Sequence, residues 1–387
     1  MRYFIIAGEA SGDLHASLLI RALRQNDPEA EFRGFGGDLM AAEGMTLLRH
    51  YRSLAFMGFV QVALHLPDIL RGMAECRRAI EEWRPTCVIL VDYPGFNLRI
   101  ARWVKRHNIC PVFYYIAPKI WAWKEGRIDA IRDNVDRVLS ILPFETEYFE
   151  HRHHYPVSYV GNPSFDEVEA FLATPPPSRT DFCHAHRLDP SRPIVALLAG
   201  SRRSEIAANL PPMLRAVRLA DPDGRCQIAV AAAPGTAPET YAPHLHQTPA
   251  VLLRDATFPL LAHAHAALVT SGTATLETAL FGVPQIVCYH LRGGRLVNLL
   301  RPYFLKCRFI SLVNLIADRE VVPELIAADM HPTHIARRLA PLLTDDSPER
   351  DDQLRGYALL RHRLGQTGAP RHAADEIARR LKQADEA

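Results

Sequence analysis

The chain has 387 residues, 48% of them hydrophobic and 23% charged. That apolar content excludes disorder over most of the chain, and the length predicts about two domains at roughly 150 residues each. The 45 Lys and Arg against 43 Asp and Glu leave a formal charge of +2, which excludes nucleic-acid binding driven by bulk charge.

The seven cysteines stand far apart with no CxxC, which speaks against a disulfide framework or zinc knuckle and fits a reducing compartment. The first apolar run is too short for a signal peptide, and no run approaches the ~20 residues of a membrane span. The protein therefore reads as cytoplasmic or, at most, attached to a membrane surface.

Tyr3 to Ala7 reads as a buried strand, and Leu14 to Leu23 has apolar residues at helical spacing. Between them runs Gly8-Glu9-Ala10-Ser11-Gly12-Asp13. In an open α/β sheet, ligands bind beyond the carboxyl ends of strands, where two glycines let the backbone come close. The bland alternative is a strand-to-helix turn with Ser11 or Asp13 as N-cap. The loop lacks the GxGxxG spacing, which disfavours ordinary dinucleotide binding.

A helical pattern follows from Phe59 to Trp83. From Phe59 to Met73 it is more apolar than one core-facing stripe requires, and Arg71, Arg77 and Arg78 lie in or just after it. Two readings stand open: a surface touching lipid, or a helix buried between sheet and neighbour. Cys87 to Val91 is a second strand, closed by Asp92. A carboxylate there could accept a proton from a hydroxyl nucleophile, or serve as a turn or N-cap Asp. Leu98 to Lys105 reads as helix, and Pro111 to Ile116 and Val135 to Leu142 as strands.

Thr174-Pro175-Pro176-Pro177-Ser178 is the clearest linker, because stacked prolines continue neither element. The alternation then restarts with strands at Ile194 to Leu198, Ile228 to Ala232, Ala266 to Thr270 and Pro284 to Tyr289. Leu296 to Leu300 reads as a helix, Phe309 to Val313 as a short strand, and the chain from Pro348 onward as helical. Strands alternating with helices predict βαβ units and parallel sheets. The expected fold is α/β, with two doubly wound domains facing a cleft.

Two loops of the second half stand out. Leu198-Ala199-Gly200-Ser201-Arg202 runs from strand to glycine to helix start. Backbone N–H groups at a helix N-terminus attract anions, and Arg202 adds charge. Thr270-Ser271-Gly272-Thr273 repeats the pattern, with Glu277 one turn inside the helix, where it can take the hydroxyls of a ribose. The bland readings are a surface Arg pair and a capping arrangement. The His-x-His pairs and Asp221-Pro222-Asp223-Gly224 fall in loops, turns or helix edges, so no metal site is expected.

These segments, in order, resemble the lipid-A-disaccharide synthase family. The resemblance runs through AGEASGD (Ala7 to Asp13), GFGGDLMAAEGM (Gly34 to Met45), MGFVQVALHLPDI (Met57 to Ile69) and VDYPGFN (Val91 to Asn97). It continues through YYIAPKIWAWKEGR (Tyr114 to Arg127), PFE (Pro143 to Glu145), VGNP (Val160 to Pro163) and LLAGSRRSEI (Leu197 to Ile206). It ends with SGTATLE (Ser271 to Glu277) and SLVNLIADREVVPELI (Ser311 to Ile326). Where the family often has a second acid after Asp-x-Pro, this chain has Gly95, which concentrates any base role on Asp92. The family's Pro-Gly-Ser-Arg reads Ala199-Gly200-Ser201-Arg202, and its Gln after Pro-Glu-Leu-x is Ala327.

The resemblance implies an inverting glycosyltransferase of the two-domain GT-B type. Its donor would be UDP-2,3-diacylglucosamine and its acceptor lipid X, the 1-phosphate of the same diacylated sugar. The product would be a β-1,6 disaccharide of lipid A biosynthesis. Asp92 would be the base, with Ser11 and Glu9 on the sugar side. Gly200, Ser201, Arg202, Ser271, Gly272, Thr273 and Glu277 would hold UDP, with Asn314 also in the site and no cofactor or metal.

The expected domains are 1–170 for the acceptor and lipid, 171–347 for the UDP-sugar, and C-terminal helices at 348–387 packing back on an N-terminal domain. Exchange of these helices in a homodimer is left open. Lipid substrates place the protein peripherally on the cytoplasmic face of the inner membrane, touching it through Phe59 to Met73. The competing readings are a UDP-N-acetylglucosamine 2-epimerase, the peptidoglycan N-acetylglucosaminyl transferase, or a nucleotide-sugar-binding protein without turnover.

Overall fold

The computed structural model describes residues 1–53, 66–122, 124–290 and 307–385. The chain divides into two compact units, Met1–Pro163 with Gln366–Ala387, and Ser164–Gly365.

The first unit is built on a seven-stranded sheet. Its strands are β1 (Arg2–Ala7), β2 (Glu31–Gly36), β3 (Thr46–His50), β4 (Cys87–Val91), β5 (Val112–Tyr115), β6 (Arg137–Ser140) and β7 (Val157–Tyr159). The order is β3-β2-β1-β4-β5-β6-β7, and all neighbours pair in parallel. Winding runs outward from β1 through β2 and β3, then reverses to β4 on the other side of β1. The register sets Ala7 beside Val91, so the residues following both strands emerge next to each other.

The continuous apolar runs of β1 and β4 follow from burial on both faces. Phe4, Ile6, Val88 and Leu90 pack with Met73, Cys76, Ile80 and Trp83. Tyr3, Ile5, Cys87 and Ile89 turn the other way and pack with Ala373, Ala374, Ile377 and Leu381 of the C-terminal helix Ala369–Asp385. That helix is also tied by charge. Glu376 accepts hydrogen bonds from Ser158 at 2.8 Å, Arg379 at 2.6 Å and Arg380 at 2.9 Å. Burial alone would push its carboxyl up, but the bonds from Arg380, Arg379 and Ser158 outweigh that and hold it at about 2.

The second unit carries a six-stranded parallel sheet ordered β10-β9-β8-β11-β12-β13. The strands are β8 (Ile194–Leu198), β9 (Gln227–Ala231), β10 (Val251–Leu253), β11 (Ala266–Thr270), β12 (Gln285–Tyr289) and β13 (Glu324–Ile326). Winding again reverses, here between β8 and β11, and Leu198 lies beside Val269.

Several boundaries differ from the sequence reading. The division falls at Pro163/Ser164 rather than 170/171, and the Pro-rich stretch lies inside the second unit. The cause is the helix Pro163–Ala173, whose Phe171 packs edge-on against Phe258 and Phe281 with ring centroids 5.6 Å apart. The C-terminal helices also part. Pro348–Leu364 belongs to the second unit, where the Tyr357 hydroxyl donates to the Val283 carbonyl at 3.1 Å. Close contact fixes it there, since a Cβ on Gly356 would meet Val321 at 2.3 Å.

The strand expected from Phe309 to Val313 is instead a loop leading into a helix, Leu312–Ala317. Its cap explains why: the Ser311 hydroxyl accepts from the Asn314 N–H at 3.2 Å, the signature of a helix start. The helix expected at Leu296 to Leu300, residues 59–65 of the apolar stretch and Trp123 lie outside the described residues. From Leu66 the stretch belongs to the helix Leu66–Trp83, with Ile69 and Met73 buried and Leu70 53% exposed. Among the described residues no helix is long and apolar enough to cross a membrane.

Candidate active site

Where winding reverses in a parallel sheet, the connections leave in opposite directions and open a crevice at the carboxyl edge. In the first unit this crevice is bordered by the loop after β1 and the loop after β4. Asp92 is half-buried there. It adopts φ 45°, and Tyr93 follows with φ 47°. Left-handed backbone at non-glycine residues costs of order 1–3 kcal/mol each. The Asp92 carbonyl accepts from the Tyr114 hydroxyl at 2.6 Å and the Asn97 amide at 2.7 Å. Burial pushes the Asp92 carboxyl up, against the pull of Lys119, the Tyr93 N–H and Arg127. A raised carboxylate is a better proton acceptor.

Most of the AGEASGD segment is scaffold for this loop. Gly8 is required because the Tyr93 ring lies across it: a Cβ would sit 2.3 Å from that ring. Asp13 is buried and does not cap its own helix. It accepts from the N–H groups of Gly37 at 2.8 Å, Leu39 at 3.1 Å and Met40 at 3.1 Å, which anchors the start of the short helix Asp38–Ala42. This leaves Glu9, half-buried at the N-cap, and Ser11, exposed in the first turn of Ala10–Asn26, as the polar side chains nearest that opening.

The YYIAPKIWAW and PFE segments meet each other. Trp121 Nε1 donates to Glu145 at 2.9 Å, and the Ser140 hydroxyl donates to the same buried carboxyl. Burial pushes Glu145 up to about 7. The pair fixes the segment that carries Lys119.

In the second unit the loops after β8 and β11 border the corresponding crevice. Gly200 has φ +105°, a conformation glycine tolerates without strain. The N–H groups of Ser201 and Arg202 point to the Glu205 carboxylate at 3.2 and 3.3 Å, and the Arg202 guanidinium pairs with it at 3.1 Å. The N–H groups of this turn are therefore held by the chain's own carboxylate. Asn209, buried, binds both loops: its amide donates to Thr270 Oγ1 at 2.9 Å and to the Ala199 carbonyl at 3.3 Å. Its carbonyl accepts from the His290 N–H at 3.1 Å.

Gly272 and Thr273 are exposed at the start of Thr273–Leu280. Ser271 donates to the Ile310 carbonyl at 2.9 Å. Glu277 is half-buried; burial, and then repulsion from Glu167, push its carboxyl up to about 7. A cavity of about 340 Å³ opens beyond β9 and β10, lined by Ala233, Thr236, Arg254 and Asp255 among others.

Asn314 does not present a polar group to this crevice. It is buried, its amide donating to the Val322 carbonyl at 2.8 Å and to Glu324 at 2.9 Å, and its oxygen accepting from the Val321 and Val322 N–H groups. Glu324 in turn holds the N–H groups of Ile310 and Ser311. Asn314 thus shapes the loop that receives Ser271. Among the described residues no group of His, Cys, Asp and Glu is placed to hold a metal ion.

Asn97, Tyr114, Asn209 and Glu205 carry these loops without having been singled out by sequence. Asn97, Tyr114 and Glu205 lie within VDYPGFN, YYIAPKIWAWKEGR and LLAGSRRSEI, whereas Asn209 lies outside every such segment.

The two parallel-sheet units define an α/β fold of GT-B type. Solved structures agree at the level of fold. The UDP-GlcNAc 2-epimerase of Neisseria meningitidis, solved with UDP-GlcNAc, superposes with TM-score 0.65 over 99% of this chain and 100% of that one, at 11% identity. MurG of Acinetobacter baumannii gives 0.56 over 98% and 99%, at 13% identity.

Sequence identifies the family. The Lipid-A-disaccharide synthetase profile matches residues 3–377. The lipid-A-disaccharide synthase of Solibacter usitatus is 38% identical over 375 residues, 96% of each chain. That of Myxococcus xanthus is 38% identical over 97% of this chain and 96% of its own. The chain belongs to the lipid-A-disaccharide synthase family and is a glycosyltransferase. The epimerase and peptidoglycan-transferase readings are not favoured.

Glu277 gives a pH test that needs no ligand. Unfolded, it ionises near 4.5; folded, near 7. The fold therefore loses stability as pH rises between those values. Glu277→Gln should flatten that part of the thermal-unfolding profile and raise the melting temperature at pH 8 relative to the parent. An unchanged profile would show that Glu277 is not desolvated as described.

Proposed function

We propose that the chain transfers 2,3-diacylglucosamine from its UDP carrier to the 6-hydroxyl of 2,3-diacylglucosamine 1-phosphate, with inversion at the anomeric carbon. The observation that carries this reading is Asp92: a carboxylate raised in pKa, held on a strained turn at the carboxyl edge where winding reverses. Family membership supplies the substrates.

The reaction is one displacement. Asp92 takes the proton of the acceptor hydroxyl as its oxygen bonds to the anomeric carbon. The bond from that carbon to the diphosphate breaks, and UDP leaves with the electron pair. Negative charge grows on the diphosphate, and preorganised donors stabilise it. These are the N–H groups around Gly200, Ser201 and Ser271 to Thr273, together with the Arg202 guanidinium. Glu205 gives up its hold on Ser201 and Arg202 when the diphosphate arrives. Glu277 accepts from the ribose hydroxyls, while Glu9 and Ser11 line the sugar. Asn314 acts indirectly, through Glu324 and the Ile310 carbonyl.

The acyl chains of both substrates favour a peripheral place on the cytoplasmic face of the inner membrane. Leu70, exposed beside Arg71 on Leu66–Trp83, is the described part of that contact surface. A second copy of the chain in a homodimer belongs to the same proposal.

The decisive assay follows UDP release from UDP-diacylglucosamine with and without lipid X, in EDTA. Release that depends on lipid X and survives EDTA is expected, and the product anomer read by NMR should be β. Release without lipid X would contradict the transfer, and an α product the single displacement. Asp92→Asn should cut turnover by at least ~10²-fold and leave UDP affinity little changed; near-normal turnover would remove Asp92 as base. In flotation with phosphatidylglycerol vesicles, Leu70→Glu should leave more protein unbound than the parent. Equal flotation would remove Leu70 from the membrane contact.

A further inference from the structure

We infer that Tyr114 and Asn97 are positioning residues of the transfer reaction, acting together on the Asp92 carbonyl to hold the turn that aims the Asp92 carboxylate. This rests on the reading of Asp92 as base.

Asp92 and Tyr93 are consecutive left-handed residues without glycine's freedom. Strand pairing alone does not hold them there. On the strand side the Asp92 N–H still donates to the Tyr115 carbonyl at 3.2 Å, as an extended residue would. The chain leaves the sheet after that bond, at the peptide joining Asp92 to Tyr93. The carbonyl of that peptide receives two donors, from side chains that lie beside each other on the same face of the sheet. Tyr114 reaches it from β5, where it pairs with Leu90, and its hydroxyl lies 2.6 Å away. Asn97 reaches it from the helix Pro94–Arg106, at 2.7 Å, and the same amide also binds the Val91 carbonyl at 3.2 Å.

Both side chains are buried: Asn97 at 0% exposure and Tyr114 at 0%. Solvent therefore does not replace either donor cheaply. Neither side chain donates to the Asp92 carboxylate itself; both bonds end on backbone oxygens. Their effect on chemistry passes through backbone orientation. With one donor gone the peptide is free to rotate toward the extended region, which swings the carboxylate away from its place. Misplacement of a reacting group by about 1 Å can cost 10²-fold in rate.

The test is a set of variants read by steady-state kinetics. Tyr114→Phe keeps the buried ring and loses only the hydroxyl. It should lower kcat at least ~10-fold, with the KM for the UDP-sugar unchanged and cooperative thermal unfolding retained. Asn97→Ser, which leaves the Tyr114 bond in place, should act in the same direction. In an Asp92→Asn background Tyr114→Phe should give no further loss, because there is no base left to aim.

Native kcat in Tyr114→Phe beside a large loss in Asp92→Asn would overturn the positioning role alone. So would an equal fold-loss from Tyr114→Phe in both backgrounds, which marks a general packing defect. Native activity in Asp92→Asn would instead overturn the reading of the base, and the positioning role with it. A Tyr114→Phe protein that fails to fold passes the question to Asn97→Ser, judged by the same kinetic pair.

Discussion

Side-by-side parallel pairing at two points governs the rest of this molecule. Ala7 lies beside Val91 in one sheet, and Leu198 lies beside Val269 in the other. Within each sheet parallel strands put their carboxyl ends on one edge, and among the described residues the winding reverses at these two pairs. The connections leave in opposite directions there, and the loops that follow border a crevice at the carboxyl edge. Asp92 and Glu9 owe their place to the first pair. Ser201, Arg202 and Thr273 owe theirs to the second. A different strand order would scatter the same residues.

Much of the family signature serves this geometry. Gly8 leaves room for the Tyr93 ring, and Asp13 anchors the backbone of residues 37–40. Trp121 and Glu145 bind each other. Asn314 and Glu324 brace the loop beneath Ser271, and Asn209 spans three strand ends. Each buries polar groups whose loss would leave an unpaired partner, at about 1–3 kcal/mol. A strongly patterned motif can thus be largely scaffold.

The central strands were legible because burial on both faces demands unbroken apolar runs, as in Cys87–Val91 and Ile194–Leu198. Edge strands were not. Thr46–His50 carries Arg49 and His50, and Val157–Tyr159 has three residues; neither offers a pattern that stands out from loop. The Asp92 loop and both anion-friendly loops could be found from strand-to-glycine or strand-to-acid transitions alone. Their supports could not, because Tyr114 reads as one more apolar strand residue and Asn209 as a polar residue inside a helix. The prolines at 175–177 misplaced the unit boundary. They stiffen the chain but do not decide which unit the preceding helix packs on, and Phe171 decides that through Phe258 and Phe281.

Hydrogen–deuterium exchange with and without UDP tests the central claim most directly. The nucleotide should slow exchange in the backbone of residues 199–205 and 270–277, the loops on either side of the second reversal, and leave 92–97 unchanged. Bound UDP with no slowing in either of those loops would contradict the account.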